Sequence, residues 1–306
     1  MKSIKTNFGK QVICLCAALL IALPVRIYQY LQVIEDTSGF YTTWTNPTVF
    51  GLYGLCAVII VLIIAFSFKG RKKTIYAMPT GKKTGLGAVS IVTALAFLVE
   101  SAYSAFRAYQ ISSGILPVEQ LVLHDNVGKP TLAFTLVQCL FGLLSAAFFV
   151  LFAASCLTGK NLYKKVSIMA ASPVIWCIAR LMIGFTQTIS YRYVSELLFE
   201  LLFFVFFAMF GVAFAKMCAD VPFSRLQMRM LAYGMLSTFF GLLVAVPRYI
   251  VFLMGKQSLL YRQTSLFEIT DLVLPVFVMI FIFSVVATKQ FKSVEEYAAS
   301  EEQTQE

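Results

Sequence analysis

The sequence predicts an all-α, polytopic integral membrane protein whose eight transmembrane helices form four tandem hairpins. Three observations lead there. The 306 residues are 59% hydrophobic and only 13% charged, with a mean hydropathy of +0.81, a poor composition for the surface of a soluble domain. Apolar runs of membrane-spanning length recur along the chain. Four arginines, Arg26, Arg107, Arg180 and Arg248, sit inside those runs, each between thirteen and twenty-three residues before the next run begins.

Taken in order, the spans cover residues 12–34, 47–68, 85–109, 130–157, 166–188, 193–217, 227–254 and 268–291. All are expected to be helices, because a bilayer satisfies backbone polar groups only inside helices or closed barrels, and these runs lack the two-residue alternation of barrel strands. Basic residues ahead of 12–23 resemble the start of a signal peptide. The apolar run nevertheless continues past Pro24 to full span length, so it is read as a retained first helix. Pro24 lies two residues before Arg26 and Pro247 adjoins Arg248; both are expected to kink their helices and free carbonyls there. Together the hairpins, 12–68, 85–157, 166–217 and 227–291, make one transmembrane domain within 1–292. An acidic tail, 293–306, is expected to be disordered.

The net charge of +10 would fit nucleic acid, but the placement of the basic residues excludes that reading. With the N-terminus inside, seventeen Lys and Arg fall in cytoplasmic segments, and four, Lys129, Arg192, Lys256 and Arg262, fall in outer loops. That asymmetry predicts a plasma-membrane protein with both termini cytoplasmic. The basic run from Lys69 to Lys83 is read as a solvated loop near the headgroups. None of the seven cysteines lies in an outer loop, so no disulfide framework is expected, and Cys14-x-Cys16 has the wrong spacing for a zinc knuckle or redox pair. The single histidine, His124, stands in the second outer loop, 111–129, beside Asp125 and reads as solvated. No metal and no cofactor is expected.

Internal similarity organises the hairpins. Arg26-Ile27-Tyr28-Gln29 matches Arg107-Ala108-Tyr109-Gln110, Pro47-Thr48 matches Pro130-Thr131, and Cys56 matches Cys139, at offsets of 81, 83 and 83 residues. Arg180 and Arg248 are 68 apart, as are Leu198-Phe199-Glu200 and Leu266-Phe267-Glu268. Hairpins that leave and re-enter the same side repeat in parallel, about an axis along the membrane normal.

Carboxylates join the arginines inside the spans. Glu100 lies in the third, Glu196 and Glu200 open the sixth, and Glu268 and Asp271 open the eighth. Glu100, Tyr103 and Arg107 share a helix face at i, i+3, i+7, as do Glu196 and Glu200 at i, i+4. A connected polar zone under the outer loops follows. In the ligand reading, Arg26, Arg107, Arg180, Arg248, Glu200 and Glu268 contact a small anionic or zwitterionic solute or lipid headgroup, with Tyr28, Tyr103, Tyr109 and Trp176 as walls and Glu100, Glu196 and Asp271 in support. In the structural reading, the charges pair with one another and hold the helices in register, as in a non-catalytic subunit or sensor that binds another membrane protein. An enzyme is not expected. The chain has no His-Glu-x-x-His helix and no Gly-x-Ser-x-Gly elbow, and Gly81-Lys82-Lys83-Thr84 lacks the upstream glycine of a phosphate loop.

Overall fold

The computed structural model describes residues 2–35, 41–42, 46–68, 74–76, 82–113, 129–186, 194–219, 221, 226–256, 268–287 and 291–293. His124, the acidic tail beyond Ser293 and most of the Lys69 to Lys83 run lie outside the described residues. The chain forms helices α1 (Lys2–Tyr28), α2 (Pro47–Phe68), α3 (Thr84–Ser113), α4 (Lys129–Thr158), α5 (Ser172–Thr186), α6 (Val194–Cys218), α7 (Leu226–Leu253) and α8 (Thr270–Ala287). Two three-residue strands, β1 (Thr74–Tyr76) and β2 (Phe291–Ser293), pair antiparallel.

The chain is a helical membrane protein. Among the described residues, seven helical segments are long and apolar enough to cross a bilayer; the apolar part of α8, Thr270–Ser284, is shorter than the usual spanning length. The expected eighth span, 268–291, therefore shrinks at both ends. Glu268 lies before the helix, where its carbonyl accepts from the Asp271 amide at 3.1 Å, and the chain beyond is drawn into β2. The fifth span also differs. Its first part, Leu162–Ala171, is a 3-10 helix broken at Val166 (φ −126°, ψ 31°), and regular α-helix begins only at Ser172. Pro24 and Pro247 both lie within continuous helices. The departure from α geometry comes just after Arg26, as a π-helical turn over Gln29–Val33, a device that widens a helix by one residue.

Helices α1 and α2 pack against each other, as does each consecutive pair from α3 to α8, α3 most extensively on α4, while the α1–α2 hairpin docks on α7 and α3 docks on α8. The helices alternate in direction between two ends of the bundle. At one end, here the base, Gln11 near the start of α1 donates to Ser67 at the end of α2 (2.7 Å). The Phe8 ring meets Phe283 of α8 at 5.5 Å, and Lys83 before α3 donates to the Ser284 carbonyl at 3.0 Å. Burial pushes the Lys83 ammonium below the ordinary lysine range. The opposite end is the top.

Glycine lets backbones come close where the packing is tightest. A side chain at Gly142 of α4 would strike Ser101 of α3, and one at Gly241 of α7 would strike Pro275 of α8 and, at 2.8 Å, Phe203 of α6. Small residues at such crossings are how membrane helices gain contact where no hydrophobic force draws them together. Between these crossings the interior is aromatic. Phe148, Phe149 and Phe152 of α4 meet Phe214 of α6 and Phe277 and Phe281 of α8 in mostly edge-to-face contacts, such as Phe149 to Phe277 at 4.9 Å.

Candidate functional site

Above that aromatic core, five helices deliver charge to one place. Arg180 of α5 and Arg248 of α7 lie side by side, bridged by Asp271 in the first turn of α8. Arg180 Nη2 is 2.8 Å from Asp271 and Arg248 Nη1 is 2.7 Å from it. Arg180 also binds Glu100 of α3 at 2.7 Å, and Arg248 binds Glu196 of α6 at 2.8 Å through Nη2 and 2.9 Å through Nε. Glu200 and Glu268 serve both guanidiniums: Arg180 lies 3.6 Å from Glu200 and 3.4 Å from Glu268, while Arg248 lies 3.4 Å from Glu200 and 3.7 Å from Glu268. Each arginine thus has four carboxylates within ion-pair distance and shares three of them, and every side chain in the set is at most 7% exposed.

Local sequence explains how each group arrives. Glu196 and Glu200 are one turn apart at the start of α6 and face inward together. Asp271 takes the favourable acidic position in the first turn of α8, where backbone N–H groups are unpaired. Glu100 is held from three sides: it accepts from Arg180, from Gln138 of α4 at 3.0 Å and from the Thr270 hydroxyl. Under the cluster lies a floor of rings. Trp176 sits one turn below Arg180 with the guanidinium over its face at 5.5 Å, Phe204 receives the same guanidinium at 4.9 Å, and Phe97 meets Trp176 edge-on at 5.0 Å. The rings separate the charges from the base.

Arg26 and Arg107 stand apart from this centre. Arg26 is buried beside the α6 stretch that carries Glu196 and Glu200. It donates to Gln29 at 3.0 Å, Tyr41 at 3.2 Å and Tyr30 at 3.5 Å, and lies over the rings of Tyr30 (4.6 Å) and Phe199 (5.0 Å). The π turn positions Gln29, which in turn donates to the Thr48 carbonyl at 3.0 Å and ties α1 to α2. Arg107 is half-buried. With Tyr103, Glu100, Glu268 and Arg180 it lines a cavity of about 30 Å³ between α3, α4, α5 and the start of α8.

The residues singled out in the sequence divide accordingly. Arg180, Arg248, Glu100, Glu196, Glu200, Glu268 and Asp271 form one cluster, Trp176 floors it, and Tyr103 and Arg107 line the adjoining cavity. Arg26 is in a neighbouring aromatic cage. Tyr28 and Tyr109 are 50% and 64% exposed, so they do not wall the cluster; the helix turn that points Arg26 and Arg107 inward turns these two outward. Gln138, Thr270, Gln29 and Tyr41 were not singled out. Gln138 and Thr270 carry the same signal as the charges, a polar side chain inside an apolar helix, but neutral groups are too common there to stand out.

The centre holds five carboxylates against two guanidiniums, and Arg26 and Arg107 offset two of the three excess negative charges. Arg180 Nε has no hydrogen-bond partner among the described residues, and no group of three or more His, Cys, Asp or Glu among them could hold a metal ion. No protein-family model, no curated protein and no solved structure matches the chain.

Proposed function

We propose that the protein is a transporter-like or solute-binding membrane protein whose ligand is small and zwitterionic, a lipid headgroup included, and that it binds this ligand without transforming it. The observation that carries this reading is the cavity beside the cluster, which Glu100 and Glu268 line together with Arg107. The Arg180 and Arg248 guanidiniums already face carboxylates, so a purely anionic ligand would have to displace them. The excess of carboxylate favours a cationic group in the cavity, and Arg107 is placed for the anionic end. A volume of about 30 Å³ takes a water or an ammonium group; the rest of a larger ligand would extend past Tyr103 and Arg107.

The arrangement in the membrane belongs to the same proposal. Asp271 and Ser284 are thirteen residues apart, roughly 20 Å of helix, and they contact Arg180 and Lys83 respectively. α8 therefore runs most of the way from the cluster to the base, which supports counting it as an eighth span. The basic segments at that end support reading the base as cytoplasmic and the cluster as outward-facing, in a plasma-membrane protein. The four cross-pairings of Arg180, Arg248, Glu200 and Glu268 support the tandem-hairpin repeat in the second half. Exchanging the equivalent residues turns 3.6 and 3.4 Å into 3.7 and 3.4 Å, as a local two-fold axis along the membrane normal requires.

A second reading has its own support. Because each central arginine meets four carboxylates, the cluster also suits a structural lock in a non-catalytic subunit or sensor. Native mass spectrometry of the gently extracted protein separates the two. The ligand reading predicts a discrete retained mass in the wild type that is lost in Arg107→Gln and Glu268→Gln. A wild type carrying only bulk lipid, with Arg180→Gln and Arg248→Gln unstable, would overturn it in favour of the lock.

A further inference from the structure

At the base, α6 and α7 diverge around a groove of about 190 Å³. Lys216 lies in the last turn of α6 and Arg229 in the first turn of α7, one on each side, with Tyr233 a turn deeper on α7. Beneath them the lining is apolar. Met209 and Val212, 41% and 44% exposed on the outside of the bundle, continue the groove along α6. Lys216 and Met209 are seven residues apart, roughly 10 Å of helix, so the groove is polar at its mouth and apolar along its length.

We propose that this groove binds one anionic glycerophospholipid, its phosphate between Lys216 and Arg229 and an acyl chain along Val212 and Met209. Charge complementarity selects the headgroup: between residues 216 and 229 the sequence carries Lys216, Arg225 and Arg229 against the single acid Asp220. A phosphate between two cationic side chains is stabilised by charge-assisted hydrogen bonds, and basic pockets between helices at the membrane surface are where anionic headgroups are recognised. The exposed apolar floor selects a lipid over a soluble anion. Val212 and Met209 offer nothing to inorganic phosphate, whereas an acyl chain packs on them. The site is separate from the central cluster, and its occupant does not depend on what the cavity beside Arg107 binds.

The test is lipid retention by purified full-length protein, titrated with phosphatidylglycerol or phosphatidylcholine of identical chains and followed by native mass spectrometry. Wild type should retain phosphatidylglycerol roughly ten- to thirtyfold better. The double variant Lys216→Gln/Arg229→Gln should lose that preference, and Val212→Trp should reduce retention of the lipid with the headgroup contacts intact. Lys160→Gln/Lys164→Gln, equally basic and also near the base, should keep the wild-type preference. Equal retention of both lipids by wild type would overturn the proposal, as would a preference that survives in both groove variants. Displacement by millimolar inorganic phosphate would overturn it in favour of a soluble anion. If the double variant does not fold, Val212→Trp and the phosphate competition on wild type still decide.

Discussion

Two pairs of arginines occupy equivalent places in the sequence and different places in the molecule. Arg180 and Arg248 share Glu200, Glu268 and Asp271 in one buried centre. Arg26 and Arg107, embedded in the closer sequence match, have separated: Arg26 rests in a cage of phenols and an amide, and Arg107 stands half-buried at a cavity. Likeness of the surrounding tetrapeptides, which differ only at Ile27 and Ala108, did not preserve environment. What decides is the acidic set on the facing helices, and the second half supplies four of the five carboxylates. The second pair is not perfectly symmetric either. Phe203 stands 68 residues before Asp271, so a ring that packs on Phe204 of the floor stands at the position matching the bridging carboxylate.

The comparison can be broken most forcefully at the centre. Arg180→Gln or Arg248→Gln leaves three shared carboxylates around one guanidinium, and unfolding in detergent should show a loss of about 3–5 kcal/mol. Arg26→Gln removes a cation from mostly neutral partners and should cost less, about 1–3 kcal/mol by the same measurement. Equal losses at Arg26 and Arg180 would mean that the two environments do not differ energetically. The proposed local two-fold is tested by double-mutant cycles: the Arg180/Glu268 and Arg248/Glu200 couplings should agree within about 0.5 kcal/mol. Smallest of all, Arg107→Gln should change stability by under about 1 kcal/mol while abolishing the retained ligand.

The fold was largely legible because membranes punish ambiguity. Pro47 and the basic residues after Phe68 bound α2 without any tertiary information, and the spans of α3, α4, α6 and α7 follow from apolar length in the same way. The fifth and eighth spans were less legible, since apolar length does not reveal that Lys164 and Lys165 precede a 3-10 break or that Glu268 caps a helix from outside. Helical periodicity placed Glu100, Tyr103 and Arg107 on one face, and all three line the cavity. Periodicity could not say which helix that face meets. That α3 docks on α8, so that Glu100 reaches Thr270 and Arg180, is a long-range fact set by the packing of five helices. The same gap explains Tyr28 and Tyr109: sequence put them near inward arginines, and two residues of helical rotation, about 200°, turned them out.

The most direct measurement is a thermal-shift comparison of the purified protein with matched concentrations of glycine, phosphoethanolamine, methylammonium and acetate, repeated on Glu268→Gln. A zwitterion site with a carboxylate-rich interior predicts stabilisation by the zwitterions, a smaller effect of methylammonium, none from acetate, and loss of the response in the variant. Stabilisation by acetate alone, or a response unchanged in Glu268→Gln, would contradict it.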